Sequence, residues 1–154
     1  GQILVKGATV TSGYLQENTA VSDKIKKGWL HTGDLAIRDD MGFLTIQGRS
    51  DDLIVTGGEN VHPAEVEQIV ESYPGVLEAV VVGLDDAEWG KKIASVVVVE
   101  ANSTIVEEEL ASYVRDHIAG YKVPRIWLIS SDPLPRTASG KLKRYAVVEF
   151  LFNF

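Results

Sequence analysis

The chain has 154 residues, 45% of them hydrophobic, with 22 acidic and 15 basic side chains for a net charge of −7, and no cysteine. That length and apolar content are enough to bury a core as one domain, or a domain with a flanking piece. The acidic balance opposes nucleic acid and anionic membrane as partners, and the absence of cysteine excludes a disulfide framework and a thiolate metal site.

Cysteine usage fits a reducing compartment, and the opening Gly1-Gln2-Ile3-Leu4 has no charged-then-apolar leader, so the expected location is cytoplasmic. The longest apolar runs, such as Val96 to Val99, are far too short to span a membrane and suit a buried strand. Lys141, Lys143 and Arg144 form the basic concentration worth naming, near the C-terminus, so any phosphate binding must be local.

The first fifty residues read as short strands and turns. Ile3 to Val5 alternates with polar neighbours, and Asp39-Asp40-Met41-Gly42 is a turn between Leu35 to Ile37 and Phe43 to Ile46. From Pro63 the period becomes helical, with Val66, Ile69, Val70 and Tyr73 on one stripe, Pro63 at the first helical position and Pro74-Gly75 as the stop. Val76 to Leu84 and Ile93 to Glu100 are apolar, β-branched strands joined by the polar turn Asp85 to Gly90. Thr104 with Glu107 predicts a capping box for a second helix bearing Val106, Leu110, Val114 and Ile118, closed by Gly120. A strand near Ile126 to Ile129, the Pro133-Leu134-Pro135 turn and a short helix from about Lys143 to Phe150 complete the chain. Two helices against a small sheet make an α+β domain, and the change of texture at Ser50-Asp51 predicts a β-rich segment over 1–50 and a separate domain over 51–154. No internal repeat is visible.

Three blocks carry the candidate chemistry: Trp29-Leu30-His31-Thr32-Gly33-Asp34, Gly48-Arg49-Ser50-Asp51 through Thr56-Gly57-Gly58-Glu59-Asn60-Val61, and Pro135-Arg136-Thr137-Ala138-Ser139-Gly140-Lys141-Leu142-Lys143. Read on their own, Asp34 is a turn carboxylate, acceptor-only when ionised, and Arg49 is a strand-end partner of Asp51 or Asp52 with a planar fork of donors. Lys141 is either a solvated lysine or a compact cation that a Gly-containing loop carries into a closed site. Trp89, in a polar turn, either packs beneath its loop or offers a flat face to a ligand. Thr56 to Asn60 lacks the spacing of a phosphate-cradling loop. His31, His62 and His117 have no metal-like spacing, and no metal site is expected.

In order and spacing these blocks resemble the C-terminal motifs of the acyl-adenylate-forming enzymes, the superfamily of acyl-CoA synthetases, peptide-synthetase adenylation domains and firefly-type luciferases. The likeness covers nearly all of the chain and is greatest to acyl-CoA and o-succinylbenzoate–CoA ligases, on Gly57 to Pro63 and Asp86-Ala87-Glu88-Trp89-Gly90. It implies that 1–50 is the β-rich end of a larger N-terminal adenylating domain and 51–154 a mobile C-terminal lid. By the same resemblance Lys141 is the adenylation lysine, Asp34 and Arg49 contact the nucleotide, Asp51 is the hinge, and Gly58, Trp89 and Arg125 line the path of CoA. ATP and CoA are then the implied cosubstrates, with Mg2+ arriving on ATP and held mainly outside this chain. The implied partners are the chain's own N-terminal domain and a small carboxylate, and the fragment is expected to be inactive alone. Two alternatives stay open: an adenylation domain that loads a carrier protein, and a non-catalytic nucleotide-binding or interaction module.

Overall fold

The computed structural model describes residues 1–13, 15–16, 19–20 and 24–152. The chain divides into two compact units, Gly1–Asp51 and Asp52–Phe154.

In the first unit, β1 (Gln2–Val5), β4 (Ile25–Lys26) and β6 (Leu44–Arg49) all pair antiparallel with the long strand β5 (Trp29–Arg38), while β2 (Leu15–Gln16) and β3 (Thr19–Ala20) pair with each other. The β5–β6 turn closes because Asp39 accepts through both backbone and side chain: its carbonyl accepts the Gly42 N–H at 3.0 Å and its carboxylate the Phe43 N–H at 2.8 Å. Among the described residues of this unit, Ala36 is the one apolar side chain that is fully buried, whereas Ile37, Met41, Phe43, Leu44 and Ile46 are exposed. A hairpin that leaves so much apolar surface uncovered does not make a core by itself.

The second unit is built on a three-stranded sheet in the order β11 (Ile126–Ser130), β10 (Gly90–Val99), β9 (Val76–Asp86), with β9–β10 antiparallel and β10–β11 parallel. The antiparallel pair needs only a tight turn. The parallel pair needs a crossover, and α2 (Glu107–His117) supplies it. Strand periodicity then sends alternate residues to opposite faces. Val81, Ile93 and Val97 pack with Val66 and Val70 of α1 (Pro63–Glu71) and with Leu110 and Val114 of α2. Val80, Val82, Ala94 and Val96 pack on the other face with Leu134 and with Val147 of α3 (Arg144–Phe152). Both faces are covered, which is why these strands read as unbroken apolar runs. A small hairpin, β7 (Ile54–Thr56) with β8 (Glu59–Val61), joins the first face through Ile54 and Val61.

The α+β class holds, with several local corrections. The sheet carries helices on both faces, because α3 docks opposite α1 and α2. The predicted Thr104–Glu107 capping box is absent: α2 starts at Glu107, Val106 is its N-cap with no side-chain cap bond, and Ser103 Oγ instead takes the Ile105 N–H at 3.3 Å. Three consecutive glutamates, Glu107, Glu108 and Glu109, sit in the first turn, where negative charge complements the helix N-terminus. Gly120 does not close this helix; Ile118 is the C-cap with extended backbone, and Gly120 opens a single 3₁₀ turn, Gly120–Lys122. The turn predicted over Asp85 to Gly90 shrinks to three residues, because Asp86 and Gly90 are still register partners.

Candidate functional site

Asp34 and Arg49 come together through strand register. They are direct partners across β5 and β6, and Arg49 Nη1 lies 3.0 Å from Asp34 Oδ1. The same Nη1 donates to the Thr32 carbonyl at 3.1 Å, and Nη2 is 3.9 Å from Asp51 Oδ2. Thr32 Oγ1 in turn donates to Ile3 and accepts the Asp34 N–H, both at 3.0 Å, so β1 braces the strand at the point where the carboxylate emerges. Both charged side chains remain substantially exposed. The carboxylate therefore keeps acceptor capacity beyond Arg49, and the guanidinium keeps unused donors. Asp51, the last residue of the unit, is mostly solvated and receives the Ser50 hydroxyl at 3.3 Å.

In the second unit the β7–β8 turn and the β9–β10 turn meet. Gly57 N–H donates to the Trp89 carbonyl at 2.9 Å, and the indole lies against Gly57 so closely that a Cβ there would stand 2.8 Å from Trp89 Cε3. Gly57 has φ +57 and Gly58 φ +83, both in the left-handed region that favours glycine. The two differ in surroundings: a Cβ on Gly58 would meet nothing within 4 Å. The resemblance points to Gly58 for the narrow place, whereas within this unit the crowded glycine is Gly57 and Gly58 faces open space. Arg125 places its guanidinium 4.7 Å from the centre of the Trp89 ring, while its backbone N–H is fixed on the Ile93 carbonyl at 2.9 Å. Such stacking of a cation on an indole face orients both groups. An open groove of about 760 Å³ runs between Val55, Gly57, Gly58 and Trp89. A second cleft of about 360 Å³ lies beyond Arg125, beside Arg115 and Trp127.

Trp89 owes its place to Asp86, the first residue of the Asp86-Ala87-Glu88-Trp89-Gly90 motif. Its Oδ1 accepts the N–H groups of Glu88 and Trp89, each at 3.0 Å, and its Oδ2 lies 2.7 Å from Lys92 Nζ. The Lys92 hydrogen bond, helped by these backbone donors, outweighs the opposing cost of burial and holds the Asp86 carboxyl down to about 2. An aspartate followed three residues later by an aromatic in a turn was the available signal, since aspartate side chains cap backbone N–H groups two and three residues on.

Lys141 stands on a loop that folds on itself. Arg136 and Leu142 form an isolated antiparallel bridge; Thr137 N–H donates to the Lys141 carbonyl at 2.8 Å and Thr137 Oγ1 accepts the Lys141 N–H at 3.0 Å. Leu134 and Leu142 pin the two ends of this loop to the sheet face that carries α3. The Lys141 side chain is exposed, and no described residue pairs with its ammonium group. Arg144, which the sequence groups with Lys141, is spent internally. It makes a two-pronged pair with Glu67 at 2.6 and 3.0 Å, donates to the Val81 carbonyl at 3.0 Å and lies 3.4 Å from Asp52. Burial pulls its pKa down, but the bonds and charge of Glu67 with the charge of Asp52 win, leaving it above the ordinary arginine value. Nothing local in the sequence marks the Glu67–Arg144 pair, whose members are 77 residues apart.

The predicted residues thus fall into three groups: Asp34, Arg49 and Asp51 in the first unit; Gly58 and Trp89 at one groove in the second, with Arg125 stacked on Trp89 and lining the neighbouring cleft; and Lys141 alone on its loop. Within the second unit the hairpin that carries Gly57 packs through Ile54 and Val61 on the α1–α2 face, and the lysine loop through Leu134 and Leu142 on the α3 face. Among the described residues, no group of three or more His, Cys, Asp or Glu is placed to hold a metal ion, and no helix is long and apolar enough to cross a membrane.

The chain is similar to known proteins over most of its length. The chain is 47% identical over 145 residues to a 2-succinylbenzoate–CoA ligase of Bacillus licheniformis and 46% identical over 145 residues to one of Bacillus cereus, matches that cover 94% of this chain. It spans only about 30% of the length of these relatives. Among solved structures, o-succinylbenzoate CoA synthetase (MenE) from Bacillus subtilis in complex with the acyl-adenylate intermediate OSB-AMP superposes with a TM-score of 0.86 at 40% identity, over 96% of this chain and 30% of that one. ATP-bound MatB from Rhodopseudomonas palustris superposes with a TM-score of 0.87 at 34% identity, over 97% of this chain and 30% of that one. The model of the AMP-binding enzyme C-terminal domain matches residues 65–141, which takes in Trp89, Arg125 and Lys141. The chain belongs to the family of AMP-binding enzyme C-terminal domains.

Proposed function

We propose that this chain is the C-terminal portion of an ATP-dependent carboxylate–CoA ligase, with 1–50 completing a larger adenylating domain and 51–154 acting as its mobile lid. In the first half-reaction a carboxylate oxygen attacks the α-phosphate of ATP, the bond to pyrophosphate breaks, and acyl-AMP forms. In the second, the CoA thiol attacks the acyl carbon, the carbon–oxygen bond to AMP breaks, and the thiol proton passes to solvent. The observation that carries this reading is the Lys141 ammonium, unpaired among the described residues, on an anchored loop. Two anions must meet in the first step, and a compact cation between them stabilises the charge that builds on the phosphate. Asp34 serves the ribose hydroxyls as acceptor and Arg49 the nucleotide as donor, roles supported by their exposed, register-fixed pairing.

Gly57, Gly58 and Trp89 provide the surface for the pantetheine arm in the second step, with Arg125 beside it for the CoA phosphates. Their location supports a lid that turns. The groove and the lysine loop are anchored on opposite faces of one sheet, so a rigid unit cannot present both to the same acyl group in one orientation. Asp51, solvated and at the boundary of the two units, is the proposed pivot. Magnesium would come with ATP; the described residues of this chain do not offer a ligand set for it, so the phosphates and the rest of the polypeptide would hold it.

The test is pyrophosphate release by the full-length polypeptide with ATP and a panel of carboxylates headed by 2-succinylbenzoate, the acid in the names of its relatives. Thioester formation from supplied acyl-AMP is assayed separately. Lys141→Ala is expected to lower pyrophosphate release by about a hundredfold or more while leaving thioester formation largely intact. If the wild type releases nothing with any acid, or the variant loses nothing, the chain is a binding module and not part of a ligase. Acceptance of a phosphopantetheinyl carrier protein in place of free CoA would identify the carrier-loading alternative.

A further inference from the structure

We propose that Glu78 is a positioning residue for Lys141, acting through Arg136; the inference rests on reading Lys141 as the adenylation lysine. The internal bonds of the loop, Thr137 to Lys141 and Gly140 N–H to the Thr137 carbonyl at 2.9 Å, give it a shape but do not fix where that shape stands on the domain. Leu134 and Leu142 hold its two ends by apolar contact, which resists separation but is weakly directional.

Arg136 adds direction. One prong of its guanidinium, Nη1, donates to the Gly140 carbonyl at 2.9 Å, on the peptide that leads into Lys141, and the other, Nη2, pairs with the carboxylate of Glu78. Among the described residues this is the one side-chain ion pair between the loop and the sheet. Glu78 makes the last regular pair of β9 with β10, opposite Val98 and next to a bulge, and shares its face with Val80 and Val82. Its backbone is therefore fixed by the sheet ladder. A planar fork with one prong on a strand and the other on the peptide before Lys141 transmits the position of the strand to the lysine. The pair is too exposed to matter much for stability, with Arg136 at 45% and Glu78 at 30%. What it fixes is the direction in which the loop points.

The experiment uses the full-length polypeptide with Glu78→Gln and Arg136→Ala, beside wild type and Lys141→Ala. A displacement of the lysine by about an ångström predicts a roughly ten- to hundredfold fall in kcat for pyrophosphate release. Thioester formation from supplied acyl-AMP and the thermal midpoint should stay near wild type, because the second step does not use Lys141. Amide hydrogen exchange over 137–141 should quicken roughly tenfold while that of β9 and β10 is unchanged. Unchanged adenylation in both variants, an equal fall in both half-reactions with a lowered midpoint, or unaltered exchange in the loop would each overturn the assignment. If Lys141→Ala itself leaves pyrophosphate release intact, the ligase reading fails instead, and the exchange measurement alone decides whether Glu78 orders the loop.

Discussion

The indole of Trp89 lies directly over Gly57, with Cε3 2.8 Å from where a Cβ of that residue would be, while the adjacent Gly58 has no atom within 4 Å of the equivalent position. The two glycines share the left-handed backbone but not the crowding, and that difference is testable. Either substitution to alanine should cost about 1–2 kcal/mol in backbone strain, read from urea denaturation. Gly57→Ala should in addition displace Trp89, changing its fluorescence and slowing thioester formation about tenfold or more, whereas Gly58→Ala should leave the emission of Trp89 in place.

The second prediction concerns pH. The Asp86 carboxyl is held at about 2, below the ordinary 3.8. A group lowered on folding contributes stability that is fully present above its unfolded value and is lost as pH falls through its folded value. The turn that seats Trp89 should therefore be unaffected by acidification down to about pH 4 and should loosen between 4 and 2. The observable is the emission component lost in Trp89→Phe, which separates this indole from Trp29 and Trp127. Asp86→Asn should shift that component at neutral pH as well, because the Lys92 ion pair is gone.

Arg144 and Glu67 give a third. Glu67 Oε1 accepts both Arg144 Nη1 at 2.6 Å and the Val81 N–H at 2.8 Å, and the Glu67 side chain is only 13% exposed. Arg144→Leu would leave that carboxylate without a cation in a mostly buried place, at a cost of about 2–4 kcal/mol. Glu67→Gln, which keeps an acceptor for Val81, should cost less. Chemical denaturation midpoints of the two variants order the effects.

Asp34 predicts the opposite balance of stability and binding. Its pair with Arg49 is substantially exposed, so Asp34→Ala should change stability by no more than about 1 kcal/mol. If Asp34 accepts the ribose hydroxyls, binding of a non-hydrolysable acyl-AMP analogue to the full-length polypeptide should weaken about tenfold or more. Calorimetric titration gives the affinity; equal binding by wild type and variant would remove Asp34 from the nucleotide site.

The amino-acid sequence by itself determined the local vocabulary of this protein. Continuous β-branched runs announced buried strands, Pro63 marked the first turn of a helix, Asp39 to Gly42 marked a hairpin, and the block from Pro135 to Lys143 carried the family likeness. Each of these depends on neighbours within a few residues, through backbone preference, side-chain period and short-range capping. Tertiary structure decided the rest. Register across β5 and β6 set Arg49 against Asp34 as well as Asp51, and packing of α3 on the second sheet face drew Arg144 from the basic cluster into Glu67. Docking of two turns made Gly57 the crowded glycine, and the burial of alternate strand residues anchored the lysine loop and the hairpin that carries Gly57 on opposite faces. These relationships join residues far apart in the chain. They follow from which surfaces must be buried together, and no local pattern encodes that.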